Sequence, residues 1–364
     1  ETVIGGGKYY FGTTPSQYTS VRLGEFPNPN VGWEKAKKLN LGADLSFFNQ
    51  LNISVDYFKE NREGIFLQRK SIPMYVGLST KPWVNIGKMR NSGIDASLEY
   101  HQPLGKDLHL TVRGNFTYAR NRIMDQDEPD YAYTYMNHSG QMQWQKFGLV
   151  AAGLFQDQED IDSWAKQSFG EVKPGDIKSL DLNGDGIVDN YDTKPIGYSD
   201  IPEIVYGFGF SLQWKAFDLS AFFQGVAHVS FSTLTDQTQA FVGRNLKESS
   251  VFADLYGNTW TPENPGSDIP RYVFNDQYAA QNSSRFLTNA SYLSLENINF
   301  GYTLPTKLTR KAYIDKVRVY LTCENVWVWS KRQGLDPRQS FTGGSNNTYY
   351  SPIRTISGGL TVTF

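Results

Sequence analysis

Residues 181 to 192 read DLNGDGIVDNYD, a run in which side-chain oxygens recur at alternate positions. Asp181, Asn183 and Asp185 come first, Gly186 permits a sharp turn, Ile187 offers a backbone carbonyl, and Asp189 and Asp192 complete the set. That spacing of oxygen donors around a glycine is the one with which an EF-hand-type loop holds a hard divalent cation. The donors suit Ca2+, and Mg2+ is the other cation they accept. Asp192 stands where the longer Glu is usual, so its bidentate reach is shorter. A metal-free cluster of Asx turns is the competing reading of the same residues. The flanks are extended and punctuated by Pro174, Pro195 and Pro202, which argues against a switch that moves helices. A cation here would brace a loop, since an outward loop of about 80 residues loses much entropy on ordering and bound oxygens offset part of it.

Other chemistry is sparse. The four histidines, at 101, 109, 138 and 228, form no H-E-x-x-H pair, and no G-x-S-x-G elbow occurs. Gly5-Gly6-Gly7-Lys8 lacks the spacing of a phosphate loop and is followed by Tyr9. No enzyme is expected. Aromatic residues in polar stretches could stack on sugar rings or peptide side chains, and Trp83, Tyr133, Trp144, Trp260 and Tyr349 are the candidates. Their alternative role is to pack loops together.

The 364 residues hold 35 basic and 37 acidic side chains, a net charge of -2 with no basic block, so no nucleic-acid footprint exists. Cys323 is the single cysteine, which excludes an internal disulfide framework. Aromatics reach 15% and glycines 33, while mean hydropathy is -0.47, a mixture that suits strands and turns. No stretch approaches the roughly 18 apolar residues of a membrane helix.

Period-2 alternation positions these residues instead. Leu39, Leu41, Ala43, Leu45 and Phe47 share one face; after Asn49-Gln50 the pattern resumes at Leu51, Ile53, Val55 and Tyr57. Ile94 to Tyr100, Leu108 to Tyr118, Tyr206 to Trp214, Phe217 to Phe223, Val317 to Cys323 and Leu360 to Phe364 alternate likewise. Tyr292 to Leu304 changes parity near Glu296, which predicts a bulge. Short links at about 49–50, 102–106, 215–216 and 303–313 take turns with long polar ones at about 68–86, 122–202, 231–283 and 331–350. Such asymmetry belongs to an up-and-down membrane barrel whose long loops face outward, with the short turns and the C-terminus on the periplasmic side. Asp44, Asp56, Glu99, Arg113, Asp218, Arg318 and Glu324 fall mid-strand on the polar face, where a wet lumen tolerates them and lipid would not. The bland alternative is the solvent face of a soluble sheet. Nine strands are an odd number for a bacterial barrel, and the chain opens at Glu1 with neither Met nor signal peptide, so a fragment is expected.

The closing segment SPIRTISGGLTVTF resembles the C-terminal assembly signal of outer-membrane barrels, with Ser357, Gly359, Val362 and Phe364 at its marked positions; Val362 departs mildly, an aromatic being commoner. GLFQDQEDIDSW (153–164), PGDIKSLDLNGDGIVDNYDTKPIG (174–197), YGFGFSLQWKAFDLSAFFQG (206–225), NTWTPENPGSDIPRY (258–272) and SRFLTNASYLSLENINFGYTLP (284–305) resemble the C-terminal half of SusC/RagA-type TonB-dependent transporters of Bacteroidetes-like bacteria. The likeness runs from about Pro27 through Phe364. It implies residues 1–364 as a partial all-β transmembrane barrel in the bacterial outer membrane, without the plug domain and earlier strands, and with 157–202 as an extracellular loop. It also implies import of oligosaccharides or peptides, a SusD-like lipoprotein at the mouth, surrounding lipid, and TonB engaging an N-terminal region outside these residues. A secreted calcium-stabilised β module, a lectin or adhesin, is the alternative from another class.

Overall fold

Strict alternation gives each strand one apolar and one polar side, and strands of this kind can satisfy their backbone groups only by pairing with each other. The computed structural model describes residues 4–5, 8–11, 16–19, 22–23, 28–78, 80–234, 256–273, 281–331, 336–338 and 352–364. Nine long strands emerge: β1 Lys35–Phe47, β2 Leu51–Gln68, β3 Trp83–Pro103, β4 Leu108–Asp125, β5 Ile204–Trp214, β6 Phe217–Ala227, β7 Tyr292–Thr303, β8 Lys316–Ser330 and β9 Thr355–Thr363. They form one sheet in chain order, with β1 and β9 at its edges. Neighbours from β4 to β9 are antiparallel.

The parity change near Glu296 is a real bulge. Register shifts between Leu295 and Asn297 against β8, and between Phe222 and Phe223 of β6. Arg338 ties the bulge down, reaching Glu296 at 3.5 Å and Asn325 Oδ1 at 3.0 Å, while Ser294 is buried and donates to the Gln224 carbonyl at 3.0 Å.

β2, β3 and β4 outrun their alternating segments, at 18, 21 and 18 residues. A bilayer needs only about 9 to 11 residues of tilted strand. The surplus is charged: Arg62 pairs with Glu34 at 3.0 Å and Glu60 at 2.8 Å, and Lys38 pairs with Glu60 at 3.3 Å. Beyond the hydrocarbon nothing demands an apolar face, so pairing continues while the pattern lapses.

The core is not between strands. Among the described residues, Ile123 and Ala221 are the only buried apolar residues within the nine strands. Leu149, Phe155, Val188, Ile196 and their fellows lie in the long links, and Leu154, Ile177, Trp260 and Phe286 cluster there. Strand residues are bare by contrast, Leu321 being 53% exposed and Leu360 62%. A sandwich would press such faces against a second sheet; here one sheet keeps them open. Two compact units are distinguished: Glu1–Asn40, Phe58–Ser92 and Arg120–Gln143 form one, and Leu41–Tyr57, Gly93–Ala119 and Trp144–Phe364 the other.

Candidate functional site

The long link between β4 and β5 carries short paired strands and one short helix. Short strands pair Phe147–Gly148 with Lys194–Pro195, Ala151–Leu154 with Ile177–Ser179, and Lys166–Gln167 with Ile187–Val188. A five-residue helix, α1 Gln158–Asp162, is capped by Asp157, whose carboxylate accepts from the Asp160 N–H at 2.8 Å. Lys178 ion-pairs with Asp160 and lies 4.0 Å from the Trp164 ring centroid; Trp164 Nε1 donates to the Ser179 carbonyl at 2.8 Å. The Lys178 hydrogen bond holds the Asp160 carboxyl below its ordinary pKa.

Within this link the twelve-residue loop is closed by its own carboxylates. Asp181 accepts from Gly184 N at 2.7 Å and Gly186 N at 2.8 Å; Asp185 accepts from Ile187 N at 2.8 Å, and Asn183 Oδ1 from Asp185 N at 3.0 Å. Gly184 and Gly186 take φ of 78° and 85°, left-handed values that explain why glycine occupies both. Asp189 caps the 3-10 turn Asn190–Asp192 by accepting from Tyr191 N at 2.7 Å. Asp192 is fully buried and accepts from Leu182 N at 2.7 Å and Asp189 N at 2.8 Å.

The donor set, all oxygen, fits a hard cation. Its twelfth-position carboxylate, however, is turned to backbone N–H groups, and among the described residues no three His, Cys, Asp or Glu side chains converge as metal ligands. These hydrogen bonds form the Asx turns the sequence allows, and a cation would use the lone pairs they leave over.

The aromatic candidates part ways. Trp83, 43% exposed, stacks on Phe66 with centroids 5.4 Å apart, and Tyr133 stacks on Tyr135 at 5.3 Å with planes 6° apart. Trp144 is 63% exposed at a φ of 65°. Trp260 corrects the expectation made for it. Only 7% exposed, it packs with Leu154, Ile177 and Phe286, and Gly175 leaves room for its ring, so it holds the loops together and offers no face to a ligand. Tyr349 lies outside the described residues.

A half-buried ion pair beside Trp260 escaped sequence reasoning. Arg271 donates to Asp176 through Nε at 2.7 Å and Nη2 at 3.0 Å, and Asp176 also accepts from Lys173 N at 2.8 Å. Asp176 and Arg271 are 95 positions apart, and a single sequence carries no signal for such a pair.

On the sheet, the polar side shows paired charge. Arg113 meets Glu99 at 2.7 Å and His101 meets Glu99 at 3.0 Å. Arg318 crosses β7 to reach Asp218 with Nε at 3.0 Å, passing over Gly301, where any Cβ would collide with both partners. In the closing strand Gly359 makes room for the Tyr320 ring, Ser357 pairs with Thr322, and Val362 with Val317; Phe364 is 85% exposed.

One exposed apolar side, one charged side and long loops at one end only describe a wall between lipid and water. The family described as TonB dependent receptor-like, beta-barrel, matches residues 5–326. The chain belongs to this family.

The TonB-dependent receptor P3 of Formosa agariphila is 28% identical over 100% of this chain and 37% of its own length. The receptor SusC of Bacteroides thetaiotaomicron is 26% identical over 98% of this chain and 34% of its own. The chain therefore spans little more than a third of the curated relatives it matches. The RagAB peptide importer in its open-open state superposes with a TM-score of 0.69 at 23% identity, covering 100% of this chain and 38% of that one, and shares the fold. The resemblance to SusC/RagA-type barrels is borne out, and the outer membrane is the place of this barrel. Its apolar side faces hydrocarbon and its charged side the lumen.

Proposed function

We propose that the chain is the C-terminal barrel segment of an importer that takes oligosaccharides or peptides through the outer membrane. A SusD-like lipoprotein closes the outer mouth, and TonB acts from the periplasm through a plug and N-terminal region beyond these residues. The observation that carries this reading is where the core lies. The strands expose their apolar side and pair their charges on the other, whereas the long links bury Leu154, Ile177, Trp260 and Phe286 as a folded shell at one end. A shell with its own core can present a shaped surface to large cargo, with the exposed Trp144 in the same unit as a ring to offer, while Trp83 and Tyr133 are candidate rings of the other unit. RagAB, named as a peptide importer, supports peptide cargo, and SusC of the same family supports the receptor role.

The loop 181–192 serves as a brace in this shell, and a divalent cation adds to the hydrogen bonds that already close it. No reaction is assigned to it. The experiment is deletion of the full receptor gene in its host, followed by growth on defined oligosaccharide and peptide mixtures and by pull-down of the tagged receptor. Loss of growth on one mixture, with a surface lipoprotein recovered in equal amount, is expected. Unaltered uptake of every oligomer larger than general porins admit would reject import as the function.

A further inference from the structure

β8 outlasts its neighbour at the outer end. Its last partner in β9 is Thr355, opposite Glu324, so Asn325–Ser330 have no residue of β9 beside them. The link between β8 and β9 turns back to this stretch at two points. Asn325, held at a φ of 51°, accepts from Arg338 Nη1 at 3.0 Å through Oδ1 and donates through Nδ2 to the Ile353 carbonyl at 2.9 Å. One side chain thus grips both limbs of the link. Asp336 prepares the grip: its carboxylate accepts from Arg338 Nε at 3.0 Å, Nη2 at 2.8 Å and the backbone N at 2.9 Å, which leaves Nη1 to reach Asn325 and, at 3.5 Å, Glu296.

The strands tell which side of the sheet this contact occupies. Leu293 and Leu295 pair with Trp329 and Trp327, exposed rings that continue the lipid side, so Ser294 between them faces the lumen. Glu296 accepts from the Ser294 hydroxyl and shares that side. Arg338 therefore meets the inner wall. Asn325 lies five residues below Ser330, where β8 ends; at about 3.3 Å per residue and a tilt near 40°, that is roughly 13 Å down from the outer end of the strand. The side chains of Arg338 and Asp336 are only 15% and 12% exposed, so one cation holds the link's carboxylate beside that of Glu296 with little water between. Without the guanidinium the two carboxylates repel.

We propose that Arg338 is a latch that holds the root of the β8–β9 link down inside the outer lumen, against the bulge shared by β7 and β8, and so narrows the conduit there. Releasing it lets the link root leave the wall and widens the outer lumen. The latch presupposes a lumen on the charged side of the sheet and needs no particular cargo.

The test uses the full receptor in detergent and a water-soluble methanethiosulfonate as probe. Asn297→Cys, beside the bulge and paired with Glu324 on the lumen side, is the labelling site, and the receptor without that cysteine is the blank. Heat-shifted gel migration reports barrel assembly in each variant separately. Adding Arg338→Ala is expected to speed labelling at least threefold and to speed amide exchange of the peptide that holds residues 336–338 by a similar factor. Asn325→Ala, which frees both limbs, is expected to do the same, and Arg338→Lys, which keeps the charge and loses the fork, to fall between. These two supply the reading if Arg338→Ala does not assemble. Labelling at the unsubstituted rate in the assembled variants overturns the proposal. So does faster exchange of the link with labelling unchanged, because the latch would then lie outside the conduit.

Discussion

Asp127 takes a φ of 55° just past β4, and its carboxylate gathers donors from another link. It accepts from Arg69 Nε and Nη2 at 3.2 Å each, from Lys70 N at 2.8 Å, and from Ser71 N at 3.1 Å and Oγ at 2.9 Å. Burial alone would raise its pKa; the Arg69 hydrogen bonds, with those of Ser71 and Lys70, outweigh it and lower the value from 3.8 to about 2. A depressed folded pKa means that the stabilisation is complete above the unfolded value and vanishes as pH falls through the folded one. The window is therefore pH 4 down to 2. Arg69 is 42% exposed, so screening leaves about 1 to 2 kcal/mol. Amide exchange of Lys70 and Ser71, corrected for intrinsic rates, should lose protection across that window, and Asp127→Asn should already lack it at pH 5. Equal protection in both proteins at pH 5 would disprove the latch. Residues such as these explain what a lone sequence conceals: Arg69 and Asp127 are 58 positions apart, and Gly301 matters only because Arg318 and Asp218 meet above it.

Strands and links differ in how plainly the sequence announces them. A wall between oil and water forces alternation residue by residue, so Leu39 to Phe47 or Val317 to Cys323 could be read directly, and even the bulge showed as a break in parity at Glu296. The links obey no period. Their core joins Leu154 and Ile177 of one link to Trp260 and Phe286 of another, so a lone sequence does not show that Trp260 is a packing residue. The loop 181–192 falls between these cases, its spacing legible and its hydrogen bonds not. Because those bonds close it without help, a cation should tighten it modestly. In the full receptor, chelator is expected to speed protease cleavage within residues 171–202 several-fold while heat-shifted migration of the barrel stays unchanged. Asp181→Ala with Asp185→Ala should cleave as fast without chelator, since it removes acceptors for Gly184, Gly186 and Ile187. Identical cleavage of wild type with and without chelator would remove the cation and leave the Asx turns as the whole brace.

At the scale of the whole molecule, the solvent on each side of the sheet decides everything else, and one pair of neighbours in β8 can interrogate it. Leu321 is 53% exposed on the apolar side and pairs with Phe300 and Gly358; Thr322 points the other way and pairs with Asn299 and Ser357. Both stand near the middle of the span, five and six residues from Lys316 where β8 begins. If hydrocarbon wets the first and water the second, identical substitutions must have unequal costs. Leu321→Arg should destabilise the folded full receptor by about 2 to 4 kcal/mol, and Thr322→Arg by much less, because a guanidinium near the bilayer midplane loses its hydration while one in a lumen keeps it. Urea-dependent refolding into lipid vesicles, followed by tryptophan fluorescence and heat-shifted migration, measures both. In a soluble sheet with its apolar face covered, Leu321→Arg would also be costly, but the protein would then fold without vesicles. Folding of the wild type in detergent-free buffer, or a greater loss from Thr322→Arg than from Leu321→Arg, would mean that the two faces have been assigned to the wrong solvents.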